Sequence, residues 1–345
     1  MPGTFLNFPF DAELFLMQWQ NAPDPVKTAL LTSGAIVENT DIRNLIANGS
    51  NMYTVPFYNV LGGNEENYDG TTNSVPGATT GGSQSGVVWG RMKSWKAQDF
   101  VFDFNSGADP MYQITSQVAK YWQKRDQLTL LAILSGIFGI VDDNTDNWDQ
   151  WALHTTSIAL AASGTVGDAN KVGATTAGDA AQKACGDNAG IFSMAIMHSK
   201  VANNLAGQQL LQFRKYTDPM GIERTLNIAD WNGMTVLVDD GVPAAANSTT
   251  GATDYTTYLF GNGAIHHAAA PVKHAAEIGR DRLTGGGYDY LVTRKRETYH
   301  PNGFTFILPS NTVSPTNVQL GTAANWKLAG VDAKAISIAR IISNG

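Results

Sequence analysis

Cysteine is nearly absent from this chain, charge is scarce, and no apolar run is long. The single cysteine, Cys185, can neither close an intrachain disulfide nor build a cysteine zinc cage, so a disulfide-stapled scaffold is excluded. Charged residues make up 15% of the 345 residues, where about a quarter is usual for a soluble domain. Subunit interfaces lose Lys and Glu, so a surface this poor in charge fits one that other subunits cover. No lysine precedes Lys27, so a basic start to a secretory signal is not expected. The most apolar run, Leu128 to Val141, is 14 residues long and broken by Ser135, Gly136 and Gly139. That suits a buried helix better than a bilayer span. A net charge of −7 leaves no sequence-wide basic footprint for DNA.

What is present is enough chain for two domains or one large one, with a sizeable core. The charge is uneven. Residues 1–150 hold 8 basic and 16 acidic side chains, and the remainder 15 and 14. Asp24-Pro25 signals a helix start, running to about Val37, and Asp41 to Ala47 predicts another. Tyr53, Val55, Phe57 and Asn59 alternate as a strand does, and Val87 to Phe104 is β-compatible. Between them, Gly62 to Gly86 has seven glycines and no basic residue and cannot build a core. Together these segments predict a long two-stranded arm with a flexible tip, ordered by lying on something else.

Asp109-Pro110 is a second helix start, and Met111, Ile114, Val118 and Tyr121 continue an apolar stripe. The stripe becomes wholly apolar after Leu128, which predicts a long structural helix weakened at Gly136 and Gly139. Asn188 to Phe213 predicts another helix, with Ile191, Met194, Met197, Val201 and Leu205 on one face. Strands are expected at Gly233–Val242, Tyr255–Phe260 and Ala335–Ile342. A hairpin over Gly285–Ile307 would turn at Pro301-Asn302-Gly303. The order of elements implies a mixed α+β fold with non-local strands.

Few residues offer chemistry. His266, His267 and His274 are the densest histidine group, but their spacing is no zinc pattern. A metal-dependent enzyme built on them is the weaker alternative. His198 beside Ser199 is not a nucleophilic pair, since adjacent helical positions do not face each other; a buried or capping role is expected. Asp142, Asn144 and Asp146 begin a calcium-loop spacing that fails at Asn147 and Leu153. Asp239-Asp240 ends an apolar run, where paired acids could bind a metal and a strand end meeting water explains them as well. Arg280, Arg282, Arg294, Lys295 and Arg296 are the one basic concentration, without the aromatic arrangement of a nucleic-acid module. No catalytic, cofactor or metal residues are assigned.

Several phrases resemble the major capsid proteins of tailed bacteriophages, which share the Hong Kong-type fold. They are Met197-His198-Ser199, then Gly233-Met234-Thr235-Val236-Leu237-Val238-Asp239-Asp240-Gly241-Val242-Pro243, then Tyr255-Thr256-Thr257-Tyr258-Leu259-Phe260-Gly261-Asn262-Gly263-Ala264. Asn325-Trp326 and the terminal apolar strand also look alike. The resemblance implies an N-terminal arm over 1–50 and an extended β-hairpin loop over 51–104. It implies a peripheral domain with a long spine helix over 105–145 and 285–308, and an axial domain over 146–284 and 309–345. It further implies a non-enzymatic coat subunit, without cofactor, that forms pentamers and hexamers closing into an icosahedral shell around double-stranded DNA. Heterologous contacts of this kind must close into rings.

Implied partners are further copies of the chain, a separate scaffolding protein, a portal and decoration proteins. Contact with packaged DNA would be non-specific, and no membrane is involved. Such a chain is assembled in the host bacterial cytoplasm and resides in the virion. An encapsulin-like compartment shell is the alternative within the same fold. The tip Gly62–Gly86 lacks lysine, so the family's Lys–Asn crosslinking is not carried over. From the charge split, Glu65, Glu66 and Asp69 at the arm tip are expected to meet Arg294, Lys295 and Arg296 of a neighbouring copy.

Overall fold

The computed structural model describes residues 34–59, 61, 64–69, 71–73, 75–104, 110–141, 146–217 and 223–345, with the backbone of two short paired strands, β1 (Gly3–Phe5) and β2 (Phe8–Phe10). The helix expected from Asp24 falls largely outside these residues; its end, β3 (Ile36–Glu38), is a strand. Asn39 caps the next helix, Thr40–Ile46, accepting from the backbone N–H groups of Asp41 (2.9 Å) and Ile42 (3.1 Å). Replacing Asn39 by alanine is expected to cost about 1 kcal/mol, read as a lower urea midpoint.

The arm follows. β4 (Met52–Tyr58) pairs antiparallel with β5 (Gly81–Val87), from Met52 opposite Val87 to Tyr58 opposite Gly81. The returning strand therefore starts inside the glycine-rich stretch, earlier than the composition suggests. The glycines are what permit it. A Cβ on Gly82 would lie 2.6 Å from the Phe57 ring, and one on Gly86 2.3 Å from the Tyr53 ring. The rings lie across the opposite strand where side chains are missing, which offsets glycine's poor strand propensity.

β6 (Trp89–Gln98) leaves the arm and joins another sheet. After a short helix, Asp99–Phe104, the long helix spans Pro110–Phe138, about 43 Å at 1.5 Å per residue. Its first half is amphipathic. In its second half Leu130, Ile133, Leu134 and Ile137 are fully buried, while Leu128 and Ser135 stay exposed. A further helix, Asp146–Ala152, leads to β7 (Thr155–Ser157) and then a helix at Thr176–Cys185.

The helix expected over Asn188–Phe213 is not one element. It is β8 (Phe192–Met197), a helix at Ser199–Gly207, and β9 (Gln212–Thr217). β8 lies inside the sheet with both faces covered, so apolar residues occur there at every spacing and mimic a helical stripe. Then come β10 (Glu223–Trp231), β11 (Met234–Val238), β12 (Ala244–Ala246) and β13 (Thr253–Gly261). β14 (Ile265–Ala270), β15 (Ala276–Asp281), β16 (Tyr288–Pro301) and β17 (Phe304–Phe306) follow. β18 (Trp326–Leu328) and β19 (Ile338–Ser343) end the chain.

Two sheets organise these strands. The larger runs β7-β19-β13-β8-β11-β10-β9, with β12 beside β13. The smaller is centred on β16, with β6 along one edge and β15 then β14 along the other, and β3 beyond β14. The expected Gly285–Ile307 hairpin is corrected: the chain does turn after Pro301, but β17 pairs with β18 instead of folding back on β16. The reason is packing, since Phe304 and Phe306 are buried with Trp326 against the long helix. That core joins the long helix to Trp89, Tyr299 and Phe260; a second lies between the larger sheet and the helices Thr176–Cys185 and Ser199–Gly207.

Candidate functional site

The expected contact residues lie on two separate surfaces. Glu65, Glu66 and Asp69 are exposed at the arm tip. Asp69 accepts from the backbone N–H of Thr72 (2.7 Å) and Thr71 (2.8 Å) and from both hydroxyls (2.9 Å each). Those bonds hold its carboxyl well below the usual carboxylate range. Glu66 accepts from the Val75 N–H at 3.0 Å. Two of the three acids therefore also shape the tip that displays them. Tyr58, Leu61, Tyr68 and Val75 stand exposed around them.

Arg294, Lys295 and Arg296 are consecutive on β16, so strand alternation splits them between faces. Arg294 pairs with Glu277 and donates to the His274 carbonyl at 3.1 Å. Arg296 donates to the Ser50 carbonyl at 3.1 Å, at the foot of the arm. Lys295 turns the other way, towards the long helix. Its ammonium binds Asp126 and Glu297 (2.8 Å to Oε1) and sits 4.8 Å from the Trp122 ring centre. Burial, then the neighbouring Glu297 charge, push the Asp126 carboxyl up to about 6. Burial pushes Glu297 up as well, but the nearby His267 and Lys295 outweigh it and hold it below its ordinary value.

The three histidines are not brought together. His267 faces the helix side, stacked on Tyr299 at 4.6 Å and 3.7 Å from Glu297. His266 points to the opposite face, where it lies across from His300. His274 is at the surface, 3.8 Å from Glu277. Among the described residues no group of three or more His, Cys, Asp or Glu is placed to hold a metal. Asp142 and Asn144 lie outside the described residues.

The other polar candidates have structural duties. His198 caps the helix Ser199–Gly207, its Nδ1 accepting from the Lys200 N–H at 3.1 Å, as a capping histidine should. Asp239 is buried, accepting from the Gln127 amide (3.0 Å) and the Gly241 N–H (2.8 Å). Cys185 is buried beneath the larger sheet, and burial pushes its thiol up to about 11. Sequence reasoning missed Asp126, Glu297 and His300. The signal that marks two of them is period-two alternation along Thr293–His300, which separates Lys295, Glu297 and Tyr299 from Arg296, Thr298 and His300.

No family model matches the chain. A curated relative, the major capsid protein of Bacillus phage SPP1, is 29% identical over 303 residues, covering 87% of this chain and 86% of that protein. Among solved structures, the fold is similar to the cyanophage Pam1 capsid, with a TM-score of 0.59, 10% identity and 95% of each chain covered. It is also similar to the capsid of Ralstonia phage GP4, with a TM-score of 0.55, 9% identity, and 91% and 88% covered.

Proposed function

We infer that the chain is a major capsid protein of the tailed-phage type with the Hong Kong-type fold, a structural coat subunit of the virion whose copies build a shell. Copies associate into pentamers and hexamers that close into an icosahedral shell around double-stranded DNA. The subunit performs no catalysis. The observation that carries this reading is the relative's identity spread over 87% of the chain. The arm, on which Tyr58, Leu61 and Tyr68 stand exposed among the described residues, supports it.

The parts are assigned as 1–50 N-terminal arm, 51–104 extended loop, 105–145 and 285–308 peripheral domain, and 146–284 and 309–345 axial domain. Assembly takes place in the host cytoplasm with a separate scaffolding protein and a portal, and decoration proteins can add to the finished shell. DNA inside is touched non-specifically, in keeping with a net charge of −7.

At residue level, the acidic tip Glu65, Glu66 and Asp69 docks on the basic strand of a neighbouring copy. Arg294 and Arg296 supply the contact. Lys295, held by Asp126 and Glu297, contributes through the strand it steadies. Each exposed pair is worth about 0–1 kcal/mol, but repetition around a shell makes assembly salt-sensitive.

Electron microscopy and sedimentation of the purified chain, with scaffolding protein supplied, test both levels. Closed shells, tubes or five- and six-membered rings are expected, and a chain that stays monomeric with scaffold present overturns the shell reading. Glu65→Lys with Glu66→Lys should shift material from shells to small oligomers, and Arg294→Glu with Arg296→Glu should restore part of it. Unimpaired assembly of the first variant would rule out the charge contact alone.

A further inference from the structure

The foot of the arm stands on two histidines. His266 of β14 and His300 of β16 are directly opposed in register and share the sheet face turned away from the long helix. Over them lies Tyr53 of β4, whose hydroxyl bonds Thr298 Oγ1 at 3.0 Å and whose ring meets the His300 ring edge-on at 5.9 Å. Ile42 and Ile46 close one side with Ala268 and Ala270. On the other, Gln84 of β5 donates to Asn302 Oδ1 (3.2 Å) and accepts from the Gly303 N–H (3.0 Å). His300 is 2% exposed. His266 Nδ1 and His300 Nε2 are both buried with no hydrogen-bond partner.

We propose that this seat is a proton-controlled latch: the arm lies down on the sheet while His300 and His266 are neutral, and lifts when they take up protons. The physical reason is the shape of the seat. An imidazolium needs partners for both N–H groups and a counter-charge. The titratable and charged groups facing His300 are His266 from β14, Tyr53 from β4 and, on its own strand, Arg296; β5 offers only the uncharged Gln84. Each is neutral or cationic at neutral pH and below, so none rewards the charge. Burial, and then His266, hold the His300 imidazole down at about 3, and burial lowers His266 too. Lifting Tyr53 returns His300 to water and to an ordinary value near 6.5.

The sign follows. A group depressed in the closed state favours closing above its open-state value, and that preference is lost as pH falls below it. At pH 5, His300 alone tilts the balance towards the lifted arm by about thirty-fold relative to pH 7.5. On the opposite face of the sheet, Lys295, Glu297 and His267 with Asp126 of the long helix hold the helix, not the arm.

Hydrogen exchange on the unassembled full chain tests the latch without relying on shell formation. Protection of residues 52–58 and 81–87 is compared with that of 128–138, after correction for intrinsic rates. Between pH 7.5 and 5, arm protection should fall about thirty-fold more than that of the long helix. His300→Phe should remove most of this extra loss; His300→Gln provides a second non-titrating variant should the phenylalanine fail to fold. Equal loss in arm and helix of the natural chain overturns the proposal, as does an undiminished response in a folded His300 variant.

Discussion

Replacing Lys295 by methionine is expected to destabilise the folded chain by about 3–5 kcal/mol at pH 7.5, more than any other single charge removal considered. The ammonium lies between Asp126 on the long helix and Glu297 on β16, with all three side chains mostly out of water. Without it two carboxylates remain buried side by side, and both ionise with difficulty. Their folded pKa values rise above the unfolded ones. Stability from such groups is present at low pH and lost as pH rises through the folded values. The deficit relative to the natural chain should therefore shrink as pH falls from 7.5 to 5, read as converging urea midpoints. Asp126→Leu in the same background should recover part of it, because one unpaired charge is easier to bury than two. A deficit that is independent of pH would mean that the Lys295 stem matters for packing and its charge does not.

The second large effect lies at Gly136. Alanine there should cost about 1–3 kcal/mol, although the same change at an unhindered helical site gains up to about 1 kcal/mol. A Cβ at 136 would sit 2.5 Å from the Leu320 carbonyl oxygen and 2.7 Å from Trp326 Nε1, the two atoms that bond each other at 2.7 Å. Neither can swing aside: one is backbone, and the other belongs to a ring wedged against Phe306. Gly207, in the last turn of its helix, is the control, since a Cβ there meets nothing within 4 Å. Gly207→Ala should leave stability level or raise it by a few tenths of a kcal/mol. Opposite signs at the two sites, measured by thermal or urea unfolding, would establish that close approach, not helix propensity, selects glycine at 136.

Gly136 also shows where sequence reading stops. Periodicity suffices to place the long helix, because Leu130, Ile133, Leu134 and Ile137 repeat at helical spacing. The same logic takes Gly136 for a weak point, since the partner that needs the space arrives from nearly two hundred residues later. Non-local packing likewise decides that Phe304–Phe306 joins Trp326–Leu328 and that Phe192–Met197 is a strand. The arm was legible from alternation around Phe57, but its register was not, because glycine carries no pattern until the opposing rings are seen. For the contact residues, the acidic tip stands where its polarity implies. The basic trio divides because adjacent residues of a strand cannot share a face, and Lys295 is the one turned inward.

The lone thiol has a practical side. Cys185 is fully enclosed, and its pKa of about 11 leaves almost no thiolate at neutral pH to meet an alkylating reagent. The native subunit is thus chemically silent towards maleimides and iodoacetamides. A cysteine introduced on the arm, as in Glu65→Cys, becomes its sole addressable handle. Each copy in an assembly would then carry one dye, spin label or conjugated cargo at a known place, and labelling yield would count how many arms remain open to solvent.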